Sequence, residues 1–192
     1  MLKQLGPSFR MMLIFTILTG LIYPGIVTGL CQLLFHDKAN GSLVTVNGQV
    51  VGSSLIAQGF AKPEYFQPRP SAAGNGYDAT ASGGSNYGPT NQKLFDRLKS
   101  SIDAFHKDNP DYQGPLPADL VTASASGLDP DLSPAAAEAQ AARIAKARGT
   151  SVQQVEELIA SHIQERQLGF LGERRVNALE LNLALDREIP RK

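Results

Sequence analysis

The sequence predicts a single transmembrane α-helix followed by an α+β extracytoplasmic domain, and three observations carry that expectation. From Met11 to Phe35 the chain reads MMLIFTILTGLIYPGIVTGLCQLLF without one charge, whereas about twenty apolar residues suffice to cross the hydrocarbon core of a bilayer. The flanks are lopsided: Lys3 and Arg10 precede the run, no acidic residue does, and Asp37 and Lys38 follow it. Positive flanks stay in the cytoplasm. Beyond the run, helical and strand patterns mix in no regular βαβ order, which is the signature of an α+β domain.

These features divide the chain into a cytoplasmic stub at 1–10, a transmembrane helix at 11–35 and an extracytoplasmic, periplasmic domain at 36–192. The 192 residues carry 18 basic and 18 acidic side chains. That balance argues against a nucleic-acid binder, which needs excess Lys and Arg to displace counterions from phosphates, and 42% hydrophobic content argues against a disordered tail. The lone Cys31 can form neither an internal disulfide nor a structural zinc site by itself. A cleaved signal peptide has a shorter apolar region and a small-x-small cleavage site, while Leu30 stands where a lipoprotein site needs a small residue. A buried core helix of this length is out of proportion to the domain. A retained anchor fits best.

Within the span, Thr16, Gly20, Pro24, Thr28 and Gln32 recur every four residues, with Thr19 and Tyr23 beside them, and Gly25 and Gly29 make a G-x-x-x-G spacing. At this spacing they form a strip that drifts slowly round the helix. Helix association in lipid depends on close backbone approach at small residues and on interhelical hydrogen bonds. Gly and Pro are also common in solitary membrane helices, but the spacing together with Gln32 favours packing against another membrane protein.

After the span, Leu43–Val46 and Gln49–Val51 flank Asn47-Gly48, a hairpin signal, with Leu55-Ile56 expected to extend a strand. Residues 62–91 hold too many Pro and Gly for long elements. Thr90 or Asn91 then caps a helix with Leu94, Phe95, Leu98, Ile102 and Phe105 on one face, ending before Asn109-Pro110. A second breaker-rich stretch, 110–131, contains the strand candidate Leu120-Val121-Thr122. Ser133-Pro134 opens a helix that continues to Arg148 and stops at Gly149. Thr150 to Gln153 reads as a capping box for a helix through Val155, Leu158, Ile159, Ile163 and Gln167. From Asn177 to Leu185 the leucines alternate like a strand, while Asn177 with Glu180 matches a capping box; a helix is expected.

Catalytic chemistry has no candidate residues. His36, His106 and His162 stand alone, without H-E-x-x-H or G-x-S-x-G nearby, so neither a metal site nor a nucleophile elbow is expected. Asp129/Asp131 and Glu156/Glu157 fit turns and helix surfaces. One loop stands out, from Ser82, Gly83, Gly84, Ser85 and Asn86 to Gly88, Thr90 and Asn91. Glycine-rich, and leading into a capped helix, it could present backbone N–H groups to an anion. Its glycine offset matches a P-loop except that Pro89 replaces the lysine, and Ser82-Gly83-Gly84 is similar to the ABC-transporter signature except for Ser85. A turn followed by an N-cap accounts for the same residues. An anchored enzyme therefore lacks a site, whereas an anchored extracytoplasmic binding protein or chaperone, with 62–91 as its ligand face, stays open.

Five blocks in fixed order carry a family resemblance: Thr19-Gly20-Leu21-Ile22-Tyr23-Pro24; Tyr65-Phe66-Gln67-Pro68-Arg69-Pro70-Ser71; Ser82 to Asn86 with Gly88 to Asn91; Val121 to Pro130; and Val176-Asn177 with Leu181-Asn182. Together they resemble the KdpC family, found in bacterial Kdp-type potassium-transporting P-type ATPases. The resemblance implies a non-catalytic, single-pass accessory subunit of the bacterial inner membrane, in a high-affinity ATP-driven potassium uptake complex. It implies two partners, the potassium-translocating subunit and the ATP-hydrolysing subunit, which this chain assembles and stabilises. It further implies a catalytic-chaperone role that raises the ATP affinity of the hydrolysing subunit, with Ser82 to Asn86 touching ATP. The charge flanks place that loop outside the cytoplasm, so ATP contact rests on the resemblance alone and no tightly bound cofactor is expected.

Overall fold

The computed structural model describes residues 2–190; Met1 of the predicted stub and Arg191 and Lys192 of the predicted domain lie outside them. The chain divides into two compact units, Met1–Val51 and Gly52–Lys192.

The first unit is dominated by one helix built from α1 (Leu2–Ile17), a π-helical turn (Leu18–Ile22) and α2 (Tyr23–Leu34). The helical backbone thus starts well before Met11. Lys, Gln, Leu and Arg in the stub are good helix formers, and joining an existing helix carries no nucleation cost. The candidate spanning helix, Lys3–Leu34, comprises 32 residues, about 48 Å at 1.5 Å per residue, longer than the roughly 30 Å of a bilayer core. The π turn has a local cause. Pro24 has no N–H, and its ring crowds the carbonyl of Gly20; Tyr23 N–H reaches back to the Leu18 carbonyl, widening the turn. Thr19 Oγ1 donates to the Phe15 carbonyl at 2.7 Å, loosening the preceding turn in the same direction.

A short helix, α3 (His36–Ala39), leads to the hairpin of β1 (Leu43–Val46) and β2 (Gln49–Ser53). Asn47 and Gly48 have φ of 52° and 78°, the pair of positive values that a two-residue primed turn requires. The expected extension at Leu55-Ile56 does not form. Leu55 N–H bonds instead to Ser53 Oγ at 3.1 Å and Ile56 N–H to the Ser53 carbonyl at 3.3 Å, which turns the chain away.

In the second unit, α4 (Gln92–Asp108) is capped by Asn91, whose Oδ1 accepts from Lys93 N–H. Of its expected apolar face only Phe105 is buried; Phe95 remains 54% exposed. The strand expected at Leu120-Val121-Thr122 is instead a 3₁₀ turn (Ala118–Leu120), because Thr122 directs both its N–H (2.9 Å) and its Oγ1 (2.7 Å) to the Ala118 carbonyl. The ladder of this unit pairs β3 (Asp131–Leu132) antiparallel with β4 (Val176–Asn177).

Helix α5 (Pro134–Arg148) starts at a Ser133 cap and ends at Gly149, φ 65°. Helix α6 (Val152–Ser161) has its capping box one residue later than expected, between Ser151 and Gln154. It also ends sooner. Ser161 Oγ donates to the Leu158 carbonyl, and His162 Nδ1 lies 2.9 Å from the same oxygen, closing the helix before Ile163 and Gln167. Residues 164–175 form a hairpin bridged at Gln164–Arg175 and Gln167–Leu171. The ambiguous segment is a helix, α7 (Ala178–Glu188), because Asn177 Oδ1 accepts from both Leu179 and Glu180 N–H at 3.1 Å.

The main core lies between α5, α6 and α7, where Ala137, Ala141 and Ala145 let the helices approach and Ile144, Val155, Ile159, Leu181 and Leu185 fill the space with Phe66 from the loop. A second cluster joins Phe105, Leu120, Leu132 and Ala178.

Candidate functional site

The helix strip is the first site. Each four-residue step on a regular helix overshoots a full turn by about 40°, so a strip from Thr16 to Gln32 would wander widely. The π turn lies inside it and takes more residues per turn, so it partly cancels that rotation and keeps Thr16 and Gly20 nearer the face of Pro24, Thr28 and Gln32. A Cβ built at Gly20, Gly25 or Gly29 meets nothing within 4 Å. Among the described residues nothing requires glycine at those positions, and Tyr23 is likewise exposed. Gln32 differs from its sequence-based role. Its amide exchanges hydrogen bonds with Asn40, 3.2 and 3.3 Å, and Asn40 Nδ2 also donates to the His36 carbonyl at 2.8 Å. The chain supplies the polar partner that Gln32 was expected to seek outside.

The second site is a cluster of loops that brings three of the separate sequence blocks together. Arg69 Nη1 bonds Asp129 Oδ2 at 2.8 Å, and Ser71 Oγ donates to the Gly127 carbonyl at 2.6 Å. Ser82 Oγ and Gly83 N–H both donate to the Ser126 carbonyl, at 3.0 and 2.8 Å. Gly127 (φ 67°) sits where a Cβ would lie 2.7 Å from Ala73 N and Gly83 O, so this crossing needs glycine. The Gly83 N–H that an anion cradle would use is therefore engaged within the fold. Asn86 takes a positive φ of 52°, Asn91 N–H closes a turn onto the Gly88 carbonyl, and Gly84 approaches Ala125. Ser85 is half-buried, while Gly88 and Thr90 are exposed. A shallow depression of about 520 Å³ opens beside Arg69, Asp129 and residues 123–126.

Electrostatics here follow burial. Tyr77, whose hydroxyl donates to the Arg69 carbonyl, is pushed up to about 12 by desolvation. Burial also lifts Asp131 above the usual carboxylate range, with Asp129 and Glu180 adding to the shift and Arg175 opposing it. Among the described residues no three His, Cys, Asp or Glu side chains gather as a metal-binding group.

The sequence reading missed a buried polar clamp. Asn182 accepts from Phe66 N–H (2.8 Å) and donates to the Phe66 carbonyl (3.0 Å); Gln140 does the same for Gln67, at 2.8 and 3.1 Å. Each amide replaces a missing neighbouring strand. The Arg148 side chain is fully buried and pairs with Asp186 at 2.8 Å. It also donates to the carbonyls of Glu64, Leu185 and Ile189 and stacks 5.1 Å from the Tyr65 ring centre. Arg143 ties Asn109 to the carbonyls of Pro63 and Tyr65. These residues hold the 62–70 block in place.

Comparison with known proteins covers nearly the whole chain. The K+-transporting ATPase c chain family matches residues 5–187. The potassium-transporting ATPase KdpC subunit of Koribacter versatilis is 54% identical over 187 residues, 97% of this chain and 95% of that relative. That of Rhodospirillum rubrum is 54% identical over 190 residues, covering 99% and 98%, and that of Myxococcus xanthus is 55% identical over 181 residues, covering 94% and 86%. With the long apolar helix, the loop cluster and the helical core all inside the matched region, the chain belongs to the KdpC family and is a non-catalytic subunit of the K+-transporting ATPase complex.

Proposed function

We propose that the chain assembles and stabilises a potassium uptake complex from the outer side of the membrane. Its helix crosses the inner membrane once with the N-terminus in the cytoplasm, packs through the Thr16–Gln32 strip against the potassium-translocating subunit, and carries the folded domain over the extracellular mouth. The observation that carries this reading is a strip of glycines with open space around them on a helix long and apolar enough to span, in a chain whose family is that of a transport ATPase. A raised ATP affinity of the hydrolysing subunit is then an indirect effect of assembly. The engaged Ser82 and Gly83 donors support that reading over direct contact with nucleotide.

Gly20→Leu together with Gly29→Leu fills the open face. The variant is expected to lose most of its co-purification with the other subunits and most potassium-stimulated ATP hydrolysis; full recovery of both refutes helix packing. Orientation is tested with Lys99→Cys in a Cys31→Ser background, where labelling by an impermeant reagent in intact spheroplasts is expected and labelling only after lysis refutes it.

A further inference from the structure

The hairpin at 164–175 carries an apolar tip that the fold does not use. Leu168 is 82% exposed, Phe170 69% and Leu171 48%, three large side chains at one end of a hairpin that none of the core clusters includes. Its backbone is strained as well. Leu168 has φ 53°, followed by Gly169 at 82°, and the turn closes through Gly169 N–H to Arg166 O and Phe170 N–H to Gln167 O. A branched side chain in the left-handed region is an outlier that Asn or Gly would avoid. A position that needed only to turn has no use for a leucine, so the leucine is there for its side chain.

Behind the tip lies a belt of paired charges. Arg166 bonds Glu173 at 2.6 Å and Arg174 bonds Glu165 at 2.9 Å, all four partly or largely exposed. An apolar centre with an Arg-containing polar rim is the anatomy of a protein interface. A tip meant for an anionic lipid surface would carry unneutralised Lys or Arg, whereas here each guanidinium has its own carboxylate, a rim suited to a protein surface of mixed charge. We infer that this tip inserts into an apolar socket, rimmed by polar and charged groups, on another subunit of the same complex. This rests on the reading of the chain as an assembly subunit, but it concerns a second, separate contact from the membrane helix.

The test uses the full chain assembled with its partner subunits in native membranes, with Phe170 replaced by the photoreactive p-benzoylphenylalanine and, in a parallel sample, Leu21 so replaced as a reporter of helix packing. Irradiation at position 170 is expected to give an adduct with one of the other subunits of the complex. Adducts at position 170 with lipid only, with a second copy of this chain, or with nothing overturn the tip contact; a subunit adduct from position 21 alongside them leaves the assembly reading standing. No subunit adduct from either position overturns both. Leu168→Asp with Phe170→Asp, whose exposed sites leave the core untouched, is expected to keep the wild-type unfolding temperature while retention of the chain in the purified complex falls about tenfold, equivalent to roughly 1.4 kcal/mol. Unchanged retention overturns the inference.

Discussion

Two stretches of the same breaker-rich region, residues 62–70 and 82–91, lack regular structure, yet they are held in opposite ways. In the first, Phe66 is fully buried, and it and Gln67 have their backbone groups bonded to the buried amides of Asn182 and Gln140. In the second, the chain runs over the surface and is tied mainly through the Ser126 carbonyl, and α4, which follows it, leaves Phe95 and Ile102 exposed and Leu94 and Leu98 half-buried. Irregular backbone can enter a core only where something satisfies its N–H and C=O groups. Asparagine, glutamine and arginine projected from neighbouring helices do so here. Depth is set by those donors and acceptors, not by the abundance of proline and glycine.

The comparison can be broken most severely at Arg148. Arg148→Ala takes the side-chain donor from the Ile189 carbonyl and one of two donors from the Leu185 carbonyl, and leaves the part-exposed Asp186 without its cation; it should cost about 3 kcal/mol, most of it from the buried polar groups left short of partners. Chemical denaturation of the chain in mild detergent checks it; a loss below about 1 kcal/mol means the loop is held by packing alone. Asn182→Ala strips only the Phe66 pair and should cost about 2 kcal/mol. Hydrogen exchange of the Phe66 amide should accelerate sharply in that variant while the amides of 84–90 exchange as before. The smallest effect belongs to the exposed stretch, where Phe95→Ala should change stability by less than about 0.5 kcal/mol. A larger loss would show that α4 is more firmly seated than its exposure indicates.

What the sequence disclosed was local. Asn47-Gly48, Ser133-Pro134 with Gly149, and Asn177 each specify a turn or cap within a few residues, so the hairpin and the start of α5 and α7 were legible. The 62–70 clamp was not, because Asn182 and Gln140 meet it across 116 and 73 residues of chain, and no local pattern announces such a pairing. The hairpin at 164–175 was masked by Ile163 and Gln167 falling at helical spacing after α6. At the helix strip the residues could be named in advance, but their phase could not: Pro24 and Thr19 were visible, while the π turn they accompany changes which face they share. Gln32 was recognised as a polar group needing a partner, and Asn40, beyond the end of the helix, answered it.

That last pairing works as a depth gauge in the proposed orientation. Gln32, Asn40 and His36 are knotted to one another where the helix ends. Lowering the helix by one turn, about 5.4 Å, would draw three hydrogen-bonded polar side chains toward hydrocarbon. Raising it would move apolar surface at Leu33, Leu34 and Phe35, all strongly exposed, into water. In that orientation the polar knot and the apolar surface beside it would oppose displacement of the helix along the bilayer normal in both directions.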